Sequence, residues 1–179
     1  MLGLGVGLSR SSVASEITEI LVYASDFTSN TDNWSNWGTA QASVESNQTA
    51  PDSSTGWLKQ TFVSDIPAAA NIGIRNAIVL IPAAAQGLVA WRFTGKVFFE
   101  EESNEWGGAV TAARISFANK TNTQNFDVNV VVDFEQTRAD APAFINVEAG
   151  VLYVATGFTT VSAGAKVYWK DLRIYAVLP

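Results

Sequence analysis

Asp133 and Glu135, in the stretch NFDVNVVVDFEQ at 125–136, are the carboxyl pair whose spacing comes nearest to chemistry. Two residues apart on a strand, they project from one face and crudely meet the roughly 5–9.5 Å that carboxyl groups need across a glycosidic bond. Glu100, Glu101, Glu102 and Glu105 form a second acidic group. Alternating polar residues are also what any half-exposed strand carries, so neither group by itself specifies a hydrolase. The chain has no Cys and no His, which removes thiolate nucleophiles, imidazole bases and the usual zinc sites. No Gly-x-Ser-x-Gly elbow or phosphate-cradling glycine loop occurs, and Gly3, Gly5 and Gly7 precede no lysine or helix start. No catalytic residue is assigned, and the protein is expected not to be an enzyme.

Aromatic side chains offer a different chemistry, because their broad apolar faces and polar edges suit stacking on sugars. The candidates are Trp34, Trp37, Trp57, Trp106 and Tyr153. Trp106, in SNEWGG, has only polar or glycine neighbours and is expected to be the most exposed ring. Trp106, Trp37 and Tyr153 are therefore the expected contacts to a glycan or a protein partner. Trp34 and Trp37 lie three apart in a predicted turn and cannot both follow one strand face.

The opening MLGLGVGLSR raises a third possibility, a docking arm. If it is extended, Leu2, Leu4, Val6 and Leu8 point one way and Gly3, Gly5 and Gly7 leave the other face bare. Burying such side chains contributes about 1.5–3 kcal/mol each before ordering costs. Strand addition to a sheet edge of another molecule is the expected mode; the alternative is an arm folded back on its own domain. The net charge is −6 with no Lys/Arg run, so no nucleic-acid partner is expected. The longest apolar stretches are broken by Pro82, Gln86 and Gly87 and fall short of the ~20 residues of a membrane span, so no membrane partner is expected.

Period-two alternation recurs along the chain, and helical spacing is hard to find. Strands are expected at ITEILVYAS, AQASVES, WLKQTFV, GIRNAIVLI, LVAWRFTGKVFFEE, AVTAARISFAN, NFDVNVVVDFEQ, GVLYVATGFT and AKVYWKDLRIYAVL. Turn clusters such as SNTDN, SNQTAPDSSTG, ESNEWGG, NKTNTQN and TRADAPA separate them. The repeated IPAAA phrases at 66–70 and 81–85 carry prolines and read as loops or single helical turns. Nine or so strands at this spacing predict an all-β fold, a two-sheet antiparallel sandwich. Residues 1–16 form the arm and linker, and residues 17–179 the sandwich.

SDFTSNTDNWSNWG at 25–38, LKQTF at 58–62 and GFTTVSAGAKVYWKDLRIY at 157–175 resemble phrases of the jelly-roll carbohydrate-binding modules. That resemblance implies a jelly-roll sandwich with Trp34 packed in its core. It also implies a structural calcium ion held near the first and last strands, where Asp26 and Asp171 stand. Lys170 occupies the position of an acid in that pattern, and the other expectation is no cofactor at all, with Asp26 capping a turn and Asp171 on an exposed strand face. LGLGVGL is similar to the openings of many tailed-phage virion proteins. The leading expectation is a non-enzymatic virion structural protein, a capsid decoration or a tail or fibre component. It would be located in the virion, anchored by its arm to other virion proteins and self-associated, by family analogy as a trimer. The alternative is a glycan-binding module for host or surface attachment.

Overall fold

Among the described residues there are eleven strands, rather than nine, and no helix joins them. The computed structural model describes residues 18–38, 42–66, 71–80, 90–103, 105–106, 113–117, 120–124, 127–138, 146–155 and 161–178. The arm residues Leu2, Leu4, Val6 and Leu8 lie outside them. The strands are β1 (Thr18–Ser25), β2 (Ser35–Gly38), β3 (Ala42–Gln48), β4 (Trp57–Phe62), β5 (Asn71–Leu80), β6 (Ala90–Glu100), β7 (Ala113–Phe117), β8 (Lys120–Gln124), β9 (Val131–Arg138), β10 (Asn146–Ala155) and β11 (Lys166–Leu178). They pair antiparallel into two sheets. Sheet A runs β3-β4-β11-β6-β9, with β1 also on β11, and sheet B runs β2-β5-β10-β7-β8.

The expected all-β, two-sheet antiparallel architecture is present, with three local corrections. β2 and β8 were expected to be turns; both are short and polar, and they exist because a neighbouring strand offers them a ladder. The expected strand at 125–136 begins only at Val131, since Asn129 adopts a left-handed φ of 58° and its amide donates to the Phe99 carbonyl (2.7 Å). An Asn tolerates that conformation, but an extended strand cannot continue through it. β5 and β10 each begin earlier than expected, at Asn71 and Asn146.

β6 explains the core most directly. Trp91, Phe93, Val97 and Phe99 point inward and are fully buried, while Arg92, Thr94, Lys96 and Glu100 alternate outward. Val167, Trp169, Leu172, Ile174 and Ala176 from β11 join Leu58 and Phe62 from β4 in the same cluster. Trp34 stacks on Phe93 with ring centres 6.4 Å apart, so its expected core role is met.

Several polar groups inside this core are bonded across the two sheets, as most buried donors and acceptors are. Gln60, fully buried on β4, donates to the Asn36 carbonyl oxygen Oδ1 (2.6 Å) and to the Gly73 backbone carbonyl (2.7 Å) of sheet B. The Tyr23 hydroxyl accepts from Trp34 Nε1 (2.7 Å) and Asn76 Nδ2 (3.2 Å), and Asn76 also donates to the Asp32 carbonyl (2.8 Å). Burial pushes the Tyr23 phenol above its ordinary value of 10.0, partly offset by these bonds.

At Gly95 the core meets the backbone of β6. A Cβ there would come within 2.5 Å of Leu172 Cδ2 and 2.6 Å of Phe134 Cζ. Gly95→Ala is therefore expected to destabilise the domain by about 1–3 kcal/mol. The check is a lower urea midpoint with an unchanged slope.

Candidate functional site

The turn at Asp32 and Asn33 carries the chain from sheet A to sheet B, and it determines where Trp37 stands. Both residues are left-handed (φ 48° and 64°), the Asp32 amide donates to Asn30 Oδ1 (2.6 Å), and the Trp34 amide donates to the Thr31 carbonyl (2.8 Å). Asp and Asn accept this geometry where a branched residue would not. β2 follows, with Asn36 turned inward to Gln60, so Trp37, the next residue along, belongs to the outer face of sheet B.

Register then assembles a row across that face. Trp37 pairs with Gly73, Gly73 with Tyr153, Tyr153 with Arg114, and Arg114 with Thr123. Directly paired residues share a face, so the row reads Trp, Gly, Tyr, Arg, Thr across five strands. The next row on the same face holds Ser35, the exposed Arg75, Val151, Ser116 and Thr121. Trp37 and Tyr153 are two strand spacings apart, about 10 Å, and the position between them is Gly73, which is buried. Two aromatic positions on either side of a glycine, in register with an arginine and a threonine, have residue types that a polyhydroxylated ligand can use. Alternation alone could not reveal the row, since Trp37 read as a turn residue and cross-strand pairing is non-local.

The other expected rings are elsewhere. Trp106 is fully buried, which corrects its expected role as an exposed contact: its indole N–H donates to the Glu100 carbonyl (2.8 Å), and its ring packs edge-on against Phe99 and Phe62. Its polar neighbours form a turn that folds the ring under the sheet. Glu105 supports that turn by accepting from the amides of Ser103 (2.8 Å) and Glu102 (3.0 Å), which hold its carboxyl below the ordinary range. Trp57 is buried on the outer side of sheet A, against Tyr168, under the Lys170 ammonium 5.5 Å from its ring.

Asp26 and Asp171 line one small hollow with Ser25, Asp32 and Arg173. The donor set there does not fit a calcium cage, which needs six or more oxygens unopposed by a cation. Asp26 Oδ1 already accepts from the Thr28 amide (3.0 Å) and hydroxyl (2.9 Å), and these bonds hold its carboxyl below the ordinary range. Asp32 Oδ2 accepts from the Ser25 hydroxyl (2.5 Å), and the Arg173 guanidinium is part of the wall. Lys170 reaches away, donating to the Thr55 carbonyl (2.6 Å). Among the described residues no three acidic side chains gather to hold a metal.

Asp133 and Glu135 do share the outer face of β9, but Glu135 is held by Arg92 (3.0 Å), which also binds Glu19 (2.6 Å). In the acidic group, Glu100 accepts from Lys166 (2.7 Å) and from the Tyr168 hydroxyl (2.6 Å). Burial opposes the Glu100 carboxylate, but these two bonds hold it below its ordinary value of 4.5.

The strand order and the two facing sheets define an antiparallel β-sandwich of the jelly-roll type. No protein-family model and no curated protein sequence matches the chain. Among solved structures it is similar to the CBM22-1–GH10 modules of the Clostridium thermocellum endo-1,4-β-D-xylanase 10B in complex with xylohexaose, with a TM-score of 0.52 and 15% identity. That match covers 87% of this chain and 28% of the xylanase chain. It is also similar to the tandem CBM22-1–CBM22-2 domain of Paenibacillus barcinonensis Xyn10C, with a TM-score of 0.55, 14% identity, and coverage of 96% of this chain and 52% of the tandem.

Two outcomes follow from the site's electrostatics. Neither calcium nor EDTA should move the melting midpoint; a rise with calcium would mean that the carboxylates of the hollow do serve as a cage. For Glu100, the folded state binds its proton less readily than the unfolded chain. Its contribution is therefore complete above the unfolded value near 4.5 and is lost as the pH falls through the lower folded value. Urea midpoints of the parent and Glu100→Gln should differ at about pH 7 and converge near about pH 3.

Proposed function

We propose that the chain is a non-catalytic glycan-binding domain whose ligand lies across the outer face of sheet B, on the Trp37–Gly73–Tyr153 row. Support comes above all from that row: two aromatic positions about 10 Å apart over a glycine, continued by Arg114 and Thr123. A sugar ring would stack on an aromatic face while its hydroxyls bond to the bordering guanidinium and hydroxyl groups. The sandwich fold is compatible with this, being similar to part of a xylanase chain, 28% of its length, that was solved with xylohexaose. A plant-cell-wall polysaccharide of β-1,4-linked sugars is accordingly the first ligand to try. The N-terminal arm with Leu2, Leu4, Val6 and Leu8 would tether the domain to a larger assembly, such as a virion.

Affinity electrophoresis through gels containing xylan, glucomannan or β-glucan tests the reading. At least one polysaccharide should retard the protein, and Trp37→Ala and Tyr153→Ala should each abolish the retardation. Losing a stacking ring should weaken binding by about tenfold or more while leaving the melting midpoint near that of the parent. Binding that survives both substitutions would remove the row as the site.

A further inference from the structure

We propose that the glycan taken by the outer face of sheet B is acidic, and that Arg75 holds the carboxylate of one of its uronic-acid residues. The proposal rests on the reading of the Trp37–Gly73–Tyr153 row as the glycan site, and it adds the charge of the ligand to that reading.

Arg75 stands one row from Trp37 on the same face. Its chain neighbours on β5, Ile74 and Asn76, are buried, whereas Arg75 is exposed, so its side chain leaves on the outer side. It is registered between Ser35 of β2 and Val151 of β10, neither of which carries a charge. Among the described residues its guanidinium has no hydrogen-bond or ion-pair partner. The outward cations of sheet A differ: Lys59 is bound to Glu45, Arg92 to Glu19 and Glu135, and Lys166 to Glu100. The registered outward positions of sheet B hold a second arginine, Arg114, and no Asp or Glu. Glu148, the one acid in the five strands of that sheet, falls beyond Val151 on β10, where the register shifts.

This face therefore has basic positions without matching acids, in a chain whose net charge is −6. Such an overall charge repels polyanions, so an acidic polymer has to be met by a particular group and not by general attraction. Trp37 pairs with Gly73, two residues from Arg75, so Trp37 and Arg75 hold diagonal positions about 7–8 Å apart. A pyranose stacked on the Trp37 ring would turn the substituent on its C5 carbon toward Arg75. A hydroxymethyl group there offers one neutral acceptor. A carboxylate offers two oxygens to the planar guanidinium fork, in charge-assisted bonds roughly twice as strong as neutral ones.

Isothermal titration calorimetry of the full chain tests the inference, using sodium polygalacturonate, sodium alginate and glucuronoxylan, each beside its carboxyl-reduced counterpart. At least one acidic polymer should bind about tenfold or more tightly than its reduced form at low salt, and the preference should shrink as sodium chloride is raised. Arg75→Gln should erase the preference without weakening binding of the reduced form, and Trp37→Ala should weaken both forms. Equal affinity for acidic and reduced polymers, a preference that survives Arg75→Gln, or dextran sulfate bound as tightly as the uronate polymer would overturn the inference while leaving Trp37-dependent binding, and with it the row, in place. If no polymer of either form binds, or if Trp37→Ala changes nothing, the row is not the site and the inference falls with it.

Discussion

Strand β11 has to satisfy its backbone hydrogen bonds along thirteen residues although no single neighbour on one side runs its whole length. β6 pairs with it from Lys166 to Val177, but on the other side β4 serves only Lys166–Trp169 and β1 only Leu172–Ser25 through Leu178–Thr18. The change of partner falls at Lys170 and Asp171, where β11 carries one extra residue, a bulge, between the Lys170–Lys96 and Arg173–Thr94 pairs. A strand that shifted register by one without such a bulge would turn its apolar side chains outward. With it, Val167 and Trp169 before the change and Leu172, Ile174 and Ala176 after it all reach the core. Gly95 opposite leaves room for Leu172 and Phe134 to close beneath the bulge.

The two outer faces follow from this arrangement in different ways. Sheet A is covered by ion pairs and by a small aromatic cluster of Trp57, Phe98 and Tyr168, with Arg92 also lying 4.4 Å over the Tyr175 ring. Its outward charges are largely committed to holding strands side by side: Lys59 to Glu45, Lys166 to Glu100, Arg92 to Glu19 and Glu135. Such pairs contribute little each when exposed, but they fix which surface is free to bind.

Period-two alternation identified most of the strands and the sandwich class, because an inward-facing apolar residue at every second position leaves a direct mark on composition. It missed β2 and β8, where SNWG and KTNTQ carry no apolar alternation and the strand state comes from a neighbour's ladder. Trp106 failed as an exposed contact because polar sequence neighbours describe a turn, not the direction in which one ring folds. The pairing of Trp37 with Tyr153 could not be read either, since it passes through Gly73 and three strands separated by long stretches of chain. Resemblance to short phrases did carry the fold, because those phrases belong to the first turn and the last strand, which form its framework.

The same pairing that closes sheet A also brings Thr18 at the start of β1 beside Leu178 at the end of β11. The two ends of the sandwich therefore leave from neighbouring points at one margin. Were the domain held in a longer polymer or an assembly under tension, load applied through both ends would open the Thr18–Leu178 pair first and then its successors one by one. Load applied between the N-terminal end and a ligand bound on the far sheet would instead cross the packed core, where many contacts resist together. The fold is thus mechanically anisotropic, compliant between its own ends and stiff across its packed core.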